Sequence, residues 1–303
     1  MIRRISFSIL VLLIAPFHPV AAKQTGVIQT REVTVLFEKP LRPAAKEVAD
    51  IYGGLKAELE KTLGWGLNFR PTVLLVKDRK TFEGMAGTDR IVAFAVPQKK
   101  LIVIDYSKMN TRPFTLGITL KHELCHLLLH HHIGSANLPR WLDEGISQWV
   151  SDGIAEIIMD TKRSPLKEAT LSGNYIRMDE LTESFPRDRR SLFLAYEQSK
   201  SLVEFMNSEF GTDQVLNILK HLKDGDEVAV AILKGLSIPF DELESRWHRH
   251  LRKRTTWFTY LSANLYVILF FLAALITIGG FIRLLIKKRR YEDEEDDERC
   301  LDD

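Results

Sequence analysis

Residues 122–126 read HELCH, an H-E-x-x-H sequence inside the apolar segment 115–129, TLGITLKHELCHLLL. The leucines of this segment recur at intervals of three and four residues, which predicts a buried helix with its polar side chains on one stripe. His122 and His126 are then one turn apart on the same face, so both imidazoles can reach one metal ion. Glu123 can hold the water molecule that this ion activates. The segment therefore predicts a catalytic Zn²⁺ site.

A catalytic zinc site needs a third protein ligand and keeps one position open. Residues 138–145, LPRWLDEG, offer two carboxylates at the start of a segment, 141–150, that is predicted to be helical. Pro139 suits the first turn of that helix. A helix–loop–helix of this length can fold back and bring Asp143 or Glu144 to the metal.

HELCH followed by LPRWLDEG resembles the gluzincin metallopeptidases, and most closely the peptidase MA-like family, whose second motif reads W-L-x-E-G. The resemblance implies that His122, His126 and Glu144 bind zinc and that Glu123 is the general base for the zinc-bound water. It covers roughly residues 115–251, with gaps.

The same resemblance implies the fold class, which is α+β and zincin-like. A small mixed β-sheet lobe and the active-site helix precede a helical lobe, and one transmembrane helix follows at the C-terminus. Strands are expected at 33–37, 72–76, 91–96 and 101–105, and helices at 43–63 and 81–85, with a hairpin at 97–100. Strand 91–96 is either the strand that pairs with an extended peptide substrate or an ordinary edge strand.

Two other residues compete for the third ligand position. Asp143 lies next to Glu144 but points about 100° away around the helix, so it ranks behind Glu144. His132 falls where a metzincin has its third histidine, but Leu129 replaces the glycine that turns the metzincin chain back to the metal. The helix is therefore expected to continue, and histidines 130–132 are expected to interact with its C-terminal end.

The resemblance also raises questions about two residues near the site. Tyr196 precedes a predicted helix and is a candidate donor to the oxyanion, with a packing role as the alternative. Gln148 stands where some gluzincins carry an acidic residue that orients a histidine. Another side chain is therefore expected to orient the metal-binding histidines.

Both ends of the chain carry membrane signals. Arg3 and Arg4 precede an apolar run, and Val20-Ala21-Ala22 offers small residues for cleavage, which predicts a signal peptide over residues 1–22. Residues 261–282 are almost wholly apolar, which is about the length that a helix needs to cross a bilayer.

These signals divide the chain into four parts: the signal peptide, an extracytoplasmic peptidase domain (23–256), a transmembrane helix (257–286) and a basic and acidic cytoplasmic tail (287–303). Basic residues after the apolar segment place the C-terminus in the cytoplasm. The acidic end of the tail is expected to be disordered. The expected location is the inner or plasma membrane, with a single pass and the site in the periplasm or outside the cell.

Composition narrows the choice of partners. The formal net charge of the 303 residues is +2, and no basic stripe with interleaved aromatic residues argues for nucleic-acid binding. The two cysteines, Cys125 and Cys300, lie on opposite sides of the predicted membrane and therefore cannot pair with each other. Cys125 is expected to be a packed core thiol rather than a metal ligand.

The sequence as a whole predicts a zinc-dependent metallopeptidase that hydrolyses peptide bonds of peptide or protein substrates outside the cytoplasm. The alternative is a catalytically silent, peptidase-like ectodomain that binds peptides or partner proteins. Retention of Glu123 beside both histidines favours the enzyme. The sequence leaves the oligomeric state open.

Overall fold

A computed structural model describes residues 25–109, 114–135, 137–153 and 164–299. The predicted signal peptide lies outside the described residues. Within them the chain forms five strands, of which the expected four are present and one is additional. The strands are Thr25–Gln29 (β1), Thr34–Glu38 (β2), Thr72–Val76 (β3), Ala93–Val96 (β4) and Leu101–Asp105 (β5).

The strands form one mixed sheet in the order β1-β2-β3-β5-β4. The three central strands are parallel, whereas β1 and β4 run antiparallel to their neighbours at the two edges. The predicted hairpin is confirmed, because a short 3-10 turn over Pro97–Lys99 joins β4 to β5. Strand β4, the strand considered for substrate pairing, is therefore an edge strand, and no other strand among the described residues pairs with its outer side.

Helices make up most of the remaining described chain. They are Arg42–Leu63 (α1), Arg79–Ala86 (α2), Leu116–His132 (α3), Arg140–Ser151 (α4), Pro165–Ser172 (α5), Arg189–Phe210 (α6), Thr212–Lys223 (α7), Val228–Leu236 (α8), Phe240–Ala263 (α9) and Leu265–Arg299 (α10). The expected α+β class, with a small mixed sheet before a helical body, is confirmed.

The sheet is covered on both faces because its central strands are apolar in nearly every position. On one face, Val35, Val73 and Ile102 join the main core together with α1 and α3. On the other face, Val76 and Val103 pack with Phe82 of α2 in a smaller cluster. The main core thus fixes α3 against the sheet.

Helix α4 joins α3 to the helical body through a very close contact with α6. A Cβ atom added to Gly145 would lie 2.6 Å from the carbonyl oxygen of Ser199 and 2.6 Å from a methyl carbon of Val203. Both distances are below any normal contact, so only glycine permits this helix separation. The glycine of the W-L-x-E-G sequence therefore sets the depth at which α4 lies.

The C-terminal helices leave the folded body. Leu243 and Trp247 of α9 are fully buried in the core, whereas the apolar side chains of α10 are largely exposed. Among the described residues, one helix segment is long and apolar enough to cross a membrane, Leu265–Leu285. Helix α10 continues to Arg299, so the described part of the acidic segment that was expected to be disordered is helical.

Candidate active site

Helix α3 carries His122, Glu123 and His126 in fully or almost fully buried positions. The hydroxyl oxygen of Thr115 accepts a hydrogen bond from the backbone N–H of Ile118 and caps the start of the helix. The helix continues through the position where a metzincin would turn, and it ends before Gly134, whose φ of 82° suits glycine.

The structure brings Glu144 of α4 to the two histidines of α3. The Nε2 atoms of His122 and His126 are 3.1 Å apart. The Oε2 atom of Glu144 is 3.6 Å from each of these nitrogens. All three residues are buried, and they form a group of side chains that could hold a metal ion.

The spacing of these three atoms fits a zinc ion. Ligands bound to Zn²⁺ at about 2.0–2.2 Å in tetrahedral geometry lie about 3.4 Å from one another. The observed separations of 3.1 and 3.6 Å lie on either side of this value. Two imidazole nitrogens and one carboxylate oxygen are also a donor set found in catalytic zinc sites. The residues present therefore fit the metal that the sequence predicts.

Behind the cluster, Asp143 holds His126. The Nδ1 atom of His126 donates a hydrogen bond to Oδ1 of Asp143 at 2.6 Å, with the Ser147 hydroxyl at 3.3 Å. Because an ionised carboxylate can only accept, Nδ1 carries a proton, and Nε2 is the nitrogen that faces the cluster.

The second oxygen of Asp143 binds another histidine. The Nε2 atom of His130 donates to Oδ2 of Asp143 at 2.9 Å, and the Ser135 hydroxyl lies 3.0 Å from Nδ1 of His130. Asp143 is thus not a rival ligand but the hydrogen-bond acceptor that orients His126. It takes the role that an acidic residue at the position of Gln148 has in some gluzincins. Gln148 instead donates to the backbone carbonyl of Tyr196 at 3.3 Å.

The charges of the site favour a cation. Burial lowers the pKa of His126, but the adjacent carboxylates of Asp143 and Glu144 outweigh it and raise this pKa to about 10. Burial raises the pKa of the Asp143 carboxyl, yet His126 and His130 hold it well below its usual range. A divalent ion could supply the positive charge that a proton on His126 otherwise provides.

The Glu144 carboxyl is balanced in the same way. Burial raises its pKa, but the Arg140 guanidinium and the two histidines of the cluster hold the pKa below its usual value. The Nη2 atom of Arg140, one helical turn before Glu144, lies 2.6 Å from Oε1 of Glu144. Sequence reasoning missed this contact, although an arginine four residues before a glutamate on a predicted helix is a recognisable signal.

A comparison with protein families gives a match for the Peptidase MA superfamily over residues 91–253, which is more than half of the chain. The chain belongs to the peptidase MA superfamily. The match begins at the edge strand and ends in α9, so it includes both motifs and the helices that carry them. No curated protein matches the chain.

Tyr196 packs among aromatic and aliphatic side chains. Tyr196 is buried on α6, and its ring packs edge-on against Phe185 with centroids 4.9 Å apart. Phe193, Ile91 and Leu192 complete the cluster. These contacts fit the packing role, and the role of the hydroxyl in catalysis stays a prediction.

The remaining histidines of α3 have other partners. The Nε2 atom of His132 donates to the carbonyl oxygen of Gly66 at 2.9 Å, and its ring lies 5.0 Å from Trp65. His131 contacts Phe69 edge-on at 5.0 Å. The structure therefore directs His132 away from the metal cluster, in agreement with the sequence argument against a metzincin. Cys125 is fully buried in the core, where burial raises the pKa of its thiol.

Proposed function

We propose that the protein is a gluzincin-type zinc metallopeptidase that hydrolyses peptide bonds of peptide or protein substrates outside the cytoplasm. The observation that carries the proposal is the triangle formed by His122, His126 and Glu144, whose ligand atoms are spaced as zinc requires. Membership of the peptidase MA superfamily supports the same reading.

In this proposal, His122, His126 and Glu144 hold Zn²⁺. The bound ion would polarise the substrate carbonyl and lower the pKa of a water molecule. Asp143 keeps the proton of His126 on Nδ1, so that Nε2 remains available as a ligand. Arg140 and the histidines keep Glu144 ionised, as a ligand must be.

Glu123 is the proposed general base. It lies next to His122 on α3 and is fully buried. Its carboxylate would take a proton from the attacking water and pass that proton to the leaving amine. Tyr196 is the proposed donor to the oxyanion, although its aromatic contacts would explain its burial equally well.

The peptide would lie along β4. The outer side of this strand offers backbone N–H and C=O groups at the sheet edge, and an extended peptide can pair with them as an added strand. Helix α3 packs against β4 and β5, so a peptide on this edge would approach the side of the sheet that carries the site.

We also propose that the segment Leu265–Leu285 anchors the protein in the inner or plasma membrane. Its length and composition support this, as do the exposed apolar side chains of α10. With the predicted signal peptide removed, the peptidase domain would lie in the periplasm or outside the cell and the C-terminus in the cytoplasm.

The proposal is tested with the full-length protein in detergent, by zinc analysis and by cleavage of a quenched fluorescent peptide library. We expect bound zinc and hydrolysis in the wild type. Glu123→Gln should retain zinc while the rate falls by about a hundredfold to ten-thousandfold, because it removes the base but no ligand. Glu242→Gln is the control, since Glu242 pairs with Arg246 at the start of α9.

Each contrary result has a separate meaning. Absence of zinc from the wild type contradicts the metal site. Full activity of Glu123→Gln contradicts the role of Glu123 as base. Zinc binding without hydrolysis of any peptide supports the alternative, a catalytically silent ectodomain that binds peptides or partners.

A further inference from the structure

The two carboxylate oxygens of Glu144 face different groups. Oε2 lies 3.6 Å from the Nε2 atoms of both histidines in the cluster. Oε1 lies 2.6 Å from Nη2 of Arg140. Glu144 is completely buried, so water does not separate it from these charged neighbours.

Arg140 is itself held in place at three points. Its backbone N–H donates to the carbonyl oxygen of Thr182 at 2.7 Å, which fixes the first turn of α4. Its guanidinium lies over the ring of Phe185, with the central carbon 5.8 Å from the ring centroid. Its Nη1 atom is 3.8 Å from Oδ2 of Asp143.

This arrangement has a consequence for how Glu144 can bind a metal. A glutamate can place one or both oxygens on a metal ion, and an oxygen in a close ion pair with a guanidinium is held away from a second ligand position. We propose that Arg140 is a positioning residue that restricts Glu144 to a single ligating oxygen, Oε2. The inference rests on the proposed function, since it concerns the same metal.

One-oxygen binding by Glu144 keeps the fourth position of a tetrahedral site open. Three protein ligand atoms and one open position are the pattern of catalytic zinc sites. If both oxygens of Glu144 bound the metal, one of them would compete with water or substrate for the open position. Arg140 thus preserves the vacancy on which hydrolysis would depend.

Arg140 has two opposite effects on metal affinity: it positions a ligand, which favours binding, and its positive charge repels the metal ion. Loss of a group that orients a metal ligand typically weakens metal binding about 10–100-fold. Loss of a positive charge close to the ligand would instead favour a cation, because the repulsion between Arg140 and the metal disappears. The sign of the change in affinity therefore distinguishes the two roles.

The experiment measures metal binding rather than activity. Full-length wild type, Arg140→Leu and Arg140→Lys are titrated with Zn²⁺ against a chromophoric chelator, and the visible spectra of their Co²⁺ forms are recorded. Arg177→Leu is the matched control, because Arg177 pairs with Asp179 on the surface and 70% of its side chain is exposed. Circular dichroism without metal confirms that each variant is folded.

For Arg140→Leu we expect zinc affinity to fall by about tenfold or more, with weaker Co²⁺ bands as the site changes from four to five ligand atoms. Arg140→Lys should recover most of the zinc affinity and most of the Co²⁺ band intensity, since an ammonium group can still pair with Oε1 of Glu144. The control should match the wild type. If Arg140→Leu does not fold, Arg140→Lys is compared with Arg140→Gln instead. The glutamine keeps a hydrogen-bond donor but not the charge. Both variants should retain the Co²⁺ spectrum of a site with four ligand atoms.

Unchanged or tighter zinc binding by Arg140→Leu, or a Co²⁺ spectrum identical to that of the wild type, overturns the proposal. In the comparison of the lysine and glutamine variants, a five-ligand spectrum for both overturns it. A wild type that binds no metal overturns the proposed function as well. If the wild type binds zinc and Arg140→Leu binds it equally well, only the role of Arg140 is overturned.

Discussion

Asp143 determines which nitrogen of His126 is free to bind a metal. Its two oxygens accept hydrogen bonds from His126 at 2.6 Å and from His130 at 2.9 Å, so the carboxylate is held between two residues of the same helix. A group that is fixed on both sides leaves His126 little freedom to rotate or to exchange its proton. Metal binding by the proposed site would therefore depend on a residue that does not belong to the cluster.

A substitution at Asp143 tests this dependence. Asp143→Leu should weaken zinc binding about 10–100-fold, because His126 loses the acceptor that fixes its tautomer. Asp143→Asn should lose much less, since the amide oxygen can still accept from His126 and the amide nitrogen can donate to His130. Zinc affinity is measured by competition with a chelator.

The control is Asp179→Leu, which removes an exposed carboxylate that pairs with Arg177. It should leave zinc affinity unchanged. Equal affinities for Asp143→Leu and the wild type would show that His126 keeps its orientation without this acceptor.

Residue by residue, the sequence predicted those parts of the site that lie on a regular repeat. His122, Glu123 and His126 follow from helical periodicity, and Glu144 from a second motif of known spacing. The ranking of Asp143 behind Glu144 agrees with the cluster, which includes Glu144 and not Asp143, but the contact of Asp143 with His126 was not predicted. The contact of Arg140 with Phe185 could not be predicted, since it joins segments that are distant in sequence.

At the scale of elements, the contact between α4 and α6 controls where Glu144 lies. Gly145→Ala should destabilise the protein by about 1–3 kcal/mol, because its Cβ would overlap Ser199 and Val203 and force the two helices apart. Zinc affinity should fall with stability, since Glu144 moves with α4. Chemical denaturation and chelator competition measure the two effects.

Gly54→Ala is the matched control for this substitution. Gly54 lies in the middle of α1, is exposed, and has no atom within 4 Å of the position of a Cβ. Alanine there should stabilise the protein by up to about 1 kcal/mol through helix propensity. A Gly145→Ala variant as stable as the wild type would contradict the close packing of α4 on α6.

Most elements with a clear period were predicted to within a few residues, and elements without one were missed. The helix expected to follow Tyr196 was placed wrongly, because α6 begins at Arg189 and contains Tyr196. Strand β3 and strand β5 were predicted with their exact residues because both are apolar runs bounded by polar or turn residues. Strand β1 was missed because its residues are half-exposed or exposed, and its edge position depends on pairing with β2. Helix α4 starts at Arg140, so Pro139 precedes the helix instead of lying in its first turn.

At the scale of the whole molecule, the cluster joins α3, which packs on the sheet, to α4, which packs on the helical body. A metal bound there would hold the two halves together, and binding to the native state alone stabilises it by about 2.7 kcal/mol at a hundredfold excess over the dissociation constant. We therefore expect removal of zinc with a chelator to lower the melting temperature, and readdition of Zn²⁺ to restore it.

Two variants define this effect. Glu123→Gln should show the same metal-dependent shift as the wild type, because Glu123 is proposed as the base and not as a ligand. His122→Ala should show little shift, because it removes a proposed ligand. A chelator effect of equal size in His122→Ala would mean that the metal acts elsewhere on the molecule.

Helix α9 sets the distance between the folded body and the apolar segment of α10. Among the residues of α9 whose side chains the structure describes, Leu251 is the last that packs against the core, and the apolar segment starts at Leu265. At 1.5 Å per residue, the helix between them spans about 20 Å. If α10 anchors the protein in a bilayer as proposed and α9 stands upright on it, loops that lie tight against the lipid would pass beneath the folded body. A chain anchored in the same bilayer would then have to extend at least about six residues beyond the membrane surface, at about 3.3 Å per extended residue, to reach the proposed site.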